Sequence, residues 1–547
     1  MGKRIMFLLA VLVAGFSQAI ACTNLIVGKN ASVDGSVIVS YSADSYGMFG
    51  ELYHFPAATH PKGSMREIHD WDSGKFLGSI KEAPNTYNVV GNMNQYQVTI
   101  GETTFGGREE LVDSTAIMDY GSLIYVALQR SRTAKEAISI MTDLVKEYGY
   151  YSEGESFTIA DPNEVWIMDM IGKGPGVKGA VWVAVRIPDD CISAHANQSR
   201  IHKFDMNDKD NCLYSPDVIS FAREKGYFNG LNNEFSFADA YNPLDFGGAR
   251  YCEARVWAFF NMFNKEIGDK YLSYAQGKTK EPMPLYIKID KKLSVHDIQK
   301  AMRDHYEGTP LDITNDLGAG PFKMPYRLSP LSFKVDGEEY FNERPISTQQ
   351  TAFTFVAQMR SFMPDPVGGV LWFGNDDANM TVFSPIYCSS TKVADCYNDK
   401  SADCVTFSWN SAFWIYNWVA DMIRPRYSLM VGDMKEVQKK LEDNFADSQN
   451  GIETTALSLY EKDPVKAIDF LTNYSCMTSQ MSVDTWKKLG EFLIVKYNDG
   501  VVKKTNADGT IMHPATGNCA PLIRPGYPEE FLKELVKATG DRYKVIN

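Results

Sequence analysis

An α+β fold built on antiparallel sheets and closed by a helical C-terminal part is what this sequence predicts. Three observations carry it. Short β-rich runs recur in pairs around turn residues, one well-capped helix lies among them, and from about residue 413 the apolar spacing turns helical. The chain has 547 residues, 44% of them hydrophobic, which is ample for a large core, and its 29 Tyr and 30 Phe exclude a disordered chain.

The first pair is residues 23–27 (TNLIV) and 37–39 (VIV), joined through Asp34-Gly35, the strongest turn dipeptide of the intervening segment. Both runs are apolar on both faces, as in a sheet covered on two sides. Further pairs are 87–90 with 98–104 around Gly91-Asn92-Met93-Asn94, 156–160 with 165–170 around Asp161-Pro162-Asn163-Glu164, and 181–187 with 192–194 around Pro188-Asp189-Asp190. Asn92 and Asn94 stand in a turn, where Asn serves the backbone. Thr133-Ala134-Lys135-Glu136 reads as a capping box, Ala137, Ile140, Met141, Leu144 and Val145 mark one apolar face, and Gly149 ends the helix. Residues 172–176 (GKGPG) form a loop and no phosphate cradle, since no helix start follows. Toward the C-terminus Met434, Val437, Leu441 and Phe445 recur at helical spacing. Residues 454–462, 464–474 after Asp463-Pro464, and 486–497 before Asn498-Asp499-Gly500 read as three further helices.

The N-terminus carries the most chemistry. Lys3 and Arg4 precede an apolar run over residues 6–15, and Ala19-Ile20-Ala21 supplies the small residues that a signal peptidase requires. Cleavage after Ala21 makes Cys22 the first mature residue, with an α-amine and a thiol together. An α-amine has an ordinary pKa of about 8, so part of it is neutral near pH 7 and can take the thiol proton. A lipoprotein reading competes, in which the Cys22 sulfur is acylated and cannot attack. Lipoprotein signals usually place Leu three residues before the Cys, where Ala19 stands.

No later stretch is long and apolar enough to span a membrane, so the expectation is an exported protein, periplasmic or secreted. The formal charge is −13, or −15 without Lys3 and Arg4, and this acidity argues against general nucleic-acid binding. Besides Cys22 there are eight Cys, a number that permits disulfides outside the cytosol, with a local bridge among Cys388, Cys396 and Cys404 as one expectation. No pair of Cys or His has zinc-site spacing, so neither a metal nor another cofactor is expected.

Residues 22–36 (CTNLIVGKNASVDGS) closely resemble the start of mature PepD-type dipeptidases. These are cysteine N-terminal nucleophile (Ntn) hydrolases related to secernins, penicillin V acylases and bile-salt hydrolases. Residues 100–104 (IGETT), 194–201 (AHANQSRI), 249–257 (ARYCEARVW) and 368–374 (GGVLWFG) fit the same family in order. The resemblance implies an Ntn-hydrolase αββα four-layer sandwich. It also implies a signal over residues 1–21, a catalytic domain over 22–410, a helical region over 411–547, and amide hydrolysis through a thioester.

Residue by residue, the resemblance makes Cys22 the nucleophile and Asp44 the carboxylate that orients its amine. Asn197 becomes the oxyanion donor, and Arg250 the arginine near the nucleophile, with Arg255 close enough in sequence to be confused with it. Thr103 and Thr104 fall where bile-salt hydrolases have a second oxyanion Asn, and with Arg255 they are expected on the substrate side. One departure stands out. Relatives have Arg-Asn-x-Asp after the first hairpin, and this chain has Tyr41-Ser42-Ala43-Asp44. The expected substrate is a short peptide, foremost a dipeptide, whose free amine and free carboxylate both need a partner. An acylase of N-acyl or bile-acid amides on the same fold and a non-catalytic lipoprotein stay open as alternatives. A homo-oligomer is compatible with the sequence.

Overall fold

The computed structural model describes residues 22–328 and 332–546, so the expected signal lies outside the described residues. Two antiparallel sheets organise the chain. The first has seven strands in the order Tyr286–Lys288, Cys191–His195, Thr23–Val27, Val37–Asp44, Thr351–Met359, Val370–Asn375 and Ser384–Tyr387. The second has eight, in the order Cys212–Tyr214, Ala180–Ile187, Val165–Gly172, Gly154–Ala160, Thr99–Gly106, Met93–Asn94, Val89–Val90 and His54–Phe55. This is the α+β architecture with antiparallel sheets that the strand–turn–strand pattern predicts.

Side-chain alternation divides the core. Along Val165–Gly172, Trp166, Met168 and Met170 pack with helices Tyr120–Leu128 and Ala134–Tyr148, whereas Val165, Ile167 and Ile171 join the core shared with the first sheet. The second sheet is therefore covered by helices on one face and by the first sheet on the other. Ala254–Phe263, Val295–Ala301 and the C-terminal helices pack on strands of the first sheet.

The helix Ala134–Tyr148 runs as its sequence predicts. Thr133 accepts from the Glu136 amide, the apolar face is buried, and Gly149 takes φ +81° at the end. Three expectations need correction. Residues 181–187 and 192–194 are both strands but form no hairpin, because the chain crosses at Pro188–Asp190 from the second sheet to the first. The crossover is clamped by the first hairpin: Asn30 and Ala31 amides donate to Asp189 O, and a Cβ on Gly28 would stand 2.4 Å from that oxygen. Residues 454–460 are the end of one long helix, Tyr427–Tyr460, with 461–462 in the turn after it, and residues 464–474 and 486–497 belong to another, Pro464–Tyr497. No disulfide forms among the described residues; Cys388 is buried with its thiol on Asp365 O, Cys396 is buried, and Cys404 is exposed.

The C-terminal helices share the main core. Met434, Phe445, Trp486 and Leu489 belong to the same apolar cluster as Leu25 and Phe355. Among the described residues no helix is long and apolar enough to cross a membrane.

Candidate active site

Cys22 stands immediately before the Thr23–Val27 strand in the middle of the first sheet. Thr23 pairs with Ser42 on the neighbouring strand, so Cys22 lies at the end of that strand where Asp44 finishes it. Ala21 precedes Cys22 in this chain, so the nitrogen of Cys22 is here a peptide amide. The Cys22 side chain is buried. Its Sγ lies 3.6 Å from the Tyr41 hydroxyl and 3.4 Å from Glu102 Oε1, and the Tyr41 hydroxyl donates to that same oxygen at 2.6 Å.

Glu102 reaches the sulfur because the two sheets approach closely beside it. A Cβ on Gly101 would stand 2.3 Å from Asn24 Oδ1, and Asn24 Nδ2 donates to Glu102 O at 2.7 Å. Glu155, on the adjacent strand, holds the Thr104 hydroxyl on Oε1 at 2.7 Å, and its carboxyl is hydrogen-bonded to that of Glu102. Burial and the charge of Glu102 push the Glu155 carboxyl well up, and burial pushes Glu102 up as well.

Asp44 is fully buried and well partnered. Arg344 Nη2 donates to Oδ2 at 3.0 Å, the Thr351 hydroxyl to Oδ1 at 2.7 Å, and the Ser42 hydroxyl to Oδ2 at 3.2 Å. Burial raises its pKa, while Arg344, Thr351 and Arg255 act in the opposite direction.

Arg255 ties the main chain of Cys22 to Asn197. Nη1 donates to Cys22 O at 2.6 Å and to the Thr23 hydroxyl at 2.8 Å, and Nη2 donates to Ala196 O at 3.1 Å and Asn197 Oδ1 at 2.9 Å. Burial, then Arg344, lowers its pKa to about 10, which leaves it charged at neutral pH. An arginine only donates, so this contact fixes which way the Asn197 amide points. Asn197 Nδ2 donates to Thr104 O at 2.7 Å, and the residue sits at φ +62° just after the Cys191–His195 strand.

The other expected residues are spread around this centre. Arg250 turns to Glu343 and lies over the Phe341 ring, so of the two arginines it is Arg255 that touches Cys22. The Thr103 hydroxyl meets His195 Nδ1 at 2.7 Å, and Thr158 meets Nε2 at 2.7 Å. Burial and two nearby arginines lower His195 to about 3, so it is a neutral linker between the sheets. The structure thus brings together Cys22, Asp44, Asn197 and Arg255, sets Tyr41, noted in the sequence only as a departure, beside the sulfur, and adds Glu102, Glu155, Arg344 and Thr351, which sequence reasoning did not single out. A carboxylate inside an otherwise uncharged strand was the available signal for Glu102. No local signal existed for Arg344.

Burial, followed by the negative charges of Glu102 and Asp44, pushes the Cys22 thiol well above its ordinary pKa; hydrogen bonds from the Asp44 backbone and Tyr41 only partly offset this. In the uncleaved chain the sulfur is therefore a protonated thiol. Among the described residues no group of three or more His, Cys, Asp and Glu is arranged to hold a metal ion.

Three relatives match over most of their length. A "probable dipeptidase" of Salmonella dublin is 27% identical, with 69% of this chain and 83% of the relative covered. A "probable dipeptidase" of Latilactobacillus sakei is 26% identical over 77% of this chain and 85% of the relative. "Dipeptidase A" of Lactobacillus helveticus is 23% identical over 78% and 84%. The model of peptidase family C69 matches residues 21–53 and 48–440, beginning one residue before the buried cysteine and running through every residue of the site, and the chain therefore belongs to peptidase family C69.

Proposed function

We propose that this protein is an exported cysteine hydrolase of short peptides, dipeptides foremost, in which Cys22 becomes the nucleophile once it is the N-terminal residue. The observation that carries the reading is the placement of Cys22 at the end of a central strand, its sulfur facing Tyr41 and Glu102 and its carbonyl held by Arg255. Two packed antiparallel sheets with helices on their outer faces fit the αββα sandwich of the Ntn hydrolases, and relatives named dipeptidases support the substrate class.

Removal of residues 1–21 replaces the amide nitrogen of Cys22 by an amine. That amine takes the thiol proton, and the sulfur attacks the scissile carbonyl carbon. The resulting tetrahedral oxyanion needs a neutral donor, the role we assign to Asn197, whose amide Arg255 and Thr104 orient. As the C–N bond breaks, the ammonium returns its proton to the leaving nitrogen. A thioester remains on Cys22, and water attacks it with the same amine as base. Asp44, beside this strand end and carrying Arg344, orients the amine.

The test is intact-mass and N-terminal analysis of the exported protein, with hydrolysis of Ala-Ala and of an N-acyl amino acid measured on the same sample and on Cys22→Ala. The expected result is a free N-terminal Cys22, cleavage of Ala-Ala, and loss of that cleavage in Cys22→Ala. An acylated Cys22, or full activity in Cys22→Ala, overturns the reading. Preference for the N-acyl amino acid assigns the acylase alternative.

A further inference from the structure

Two neighbouring strands of the second sheet, Thr99–Gly106 and Gly154–Ala160, set Glu102 on the Cys22 sulfur and Glu155 beside Glu102, without a cation to match them. Glu102 and Glu155 are each about 1% exposed. Glu102 Oε1 accepts from Tyr41 and Cys22, and Glu155 Oε1 accepts from Thr104. The second oxygens, Glu102 Oε2 and Glu155 Oε2, are buried and take no hydrogen bond from any other residue, so beyond the bond between the two carboxyls they are unsatisfied. Neither carboxyl has a lysine or arginine partner among the described residues, although Arg255 and Arg344 lie nearby on Cys22 O and Asp44. A buried charge of this kind is costly unless something compensates it. A single cation placed between the two carboxyls would supply that compensation.

We propose that the Glu102–Glu155 pair is the subsite for the free α-ammonium group of the substrate's first residue. The proposal rests on the short-peptide reading above and names the groups that read the amine. The distances fit. In an aminoacyl group the α-nitrogen lies about 2.5 Å from the carbonyl carbon, and an attacking sulfur approaches that carbon at about 3–3.5 Å. The ammonium therefore comes within a few ångströms of the sulfur, where Glu102 Oε1 already stands at 3.4 Å. The Oε2 atoms, to which no other residue donates, supply further acceptors for its three hydrogens. An N-acylated substrate brings no charge and leaves the pair uncompensated. Tyr41 completes the arrangement. Its neutral hydroxyl donates one hydrogen bond to Glu102 and leaves the charge to the substrate.

The test compares kcat/KM for Ala-Ala and N-acetyl-Ala-Ala in the mature wild-type enzyme, Glu102→Gln and Glu155→Gln. The expected result is a wild-type preference for the free amine that falls about 100-fold in Glu102→Gln and about tenfold in Glu155→Gln, as loss of a desolvated charge-assisted bond implies. Glu155→Gln, one residue removed from the sulfur, answers the question if Glu102→Gln does not fold. A wild-type enzyme that prefers Ala-Ala, with variants that keep the same preference while losing rate on both substrates, overturns the subsite and leaves the peptidase reading intact. A wild-type enzyme that cleaves N-acetyl-Ala-Ala at least as well as Ala-Ala overturns both.

Discussion

The hydroxyl of Tyr41 donates to Glu102 Oε1 at 2.6 Å, and this bond fixes the carboxyl that faces the Cys22 sulfur. The ring itself packs edge-on against Phe353 and Phe355. Tyr41→Phe keeps that packing and removes only the donor. A buried hydrogen bond to a charged group contributes about 1.5–3 kcal/mol, so urea denaturation is expected to register a loss of that size, with kcat/KM for Ala-Ala falling alongside. Unchanged stability and rate would show the bond to be idle.

The Asp44–Arg344 pair is almost wholly buried, with side-chain exposures of 0% and 2%. Asp44→Asn retains the shape and removes the negative charge that faces Arg344. Breaking one side of such a pair costs about 3–5 kcal/mol, far more than a surface bridge. The urea midpoint of Asp44→Asn should drop accordingly, while a double variant Asp44→Asn/Arg344→Met should recover part of it. Failure of the second change to recover anything would mean that the carboxylate's other bonds, to Thr351 and Ser42, dominate.

His195 gives the fold a specific acid sensitivity. Its folded pKa is about 3 against an ordinary 6.5, so between these values the unfolded chain binds the proton and the folded chain does not. Stability contributed by this group is complete above pH 6.5 and declines as the pH falls toward 3. From pH 6.5 to about pH 4.5 the loss is about 2 kcal/mol. Urea midpoints at the two pH values should differ more in the wild type than in His195→Gln by this amount; parallel shifts in the two proteins would refute the assignment.

Cys22 should be latent before cleavage. With its thiol pKa pushed well up by burial and by Glu102 and Asp44, the thiolate fraction near neutral pH is minute. Iodoacetamide at pH 7 is expected to alkylate Cys22 at least about tenfold faster in a protein beginning at Cys22 than in the uncleaved chain, each pKa unit being worth a factor of ten. Peptide mass mapping separates this site from the exposed Cys404 and Cys519, which serve as internal standards. Equal rates at Cys22 in the two forms would remove the case for latency.

What could be read in the sequence was what local pattern encodes. The strands Thr23–Val27, Gly154–Ala160 and Val165–Gly172 follow from their apolar runs and turn dipeptides, and Ala134–Tyr148 from its cap and stripe. Helix Tyr120–Leu128 escaped because every residue but Ser122 is buried, so it has no polar face to give it a period. The separation of Ala180–Ile187 and Cys191–His195 into different sheets is a tertiary fact, since the turn between them looks like any hairpin turn. The site divides in the same way. Cys22 announces itself by its position after Ala21, whereas Arg344 meets Asp44 from 300 residues away in a segment with no motif.

That long reach has a consequence for how the protein comes into being. The strand Val37–Asp44 is completed by Thr351–Met359, with Thr351 meeting Asp44 across 307 residues, and the core beneath them is closed by helices that run on to Tyr497. A ribosome releasing this chain from its N-terminus delivers the cysteine first and its surroundings last. Until most of the polypeptide has emerged, no central sheet exists to hold the sulfur. Such non-local topology is slow to form, so the sulfur acquires its partners only in the last steps of folding.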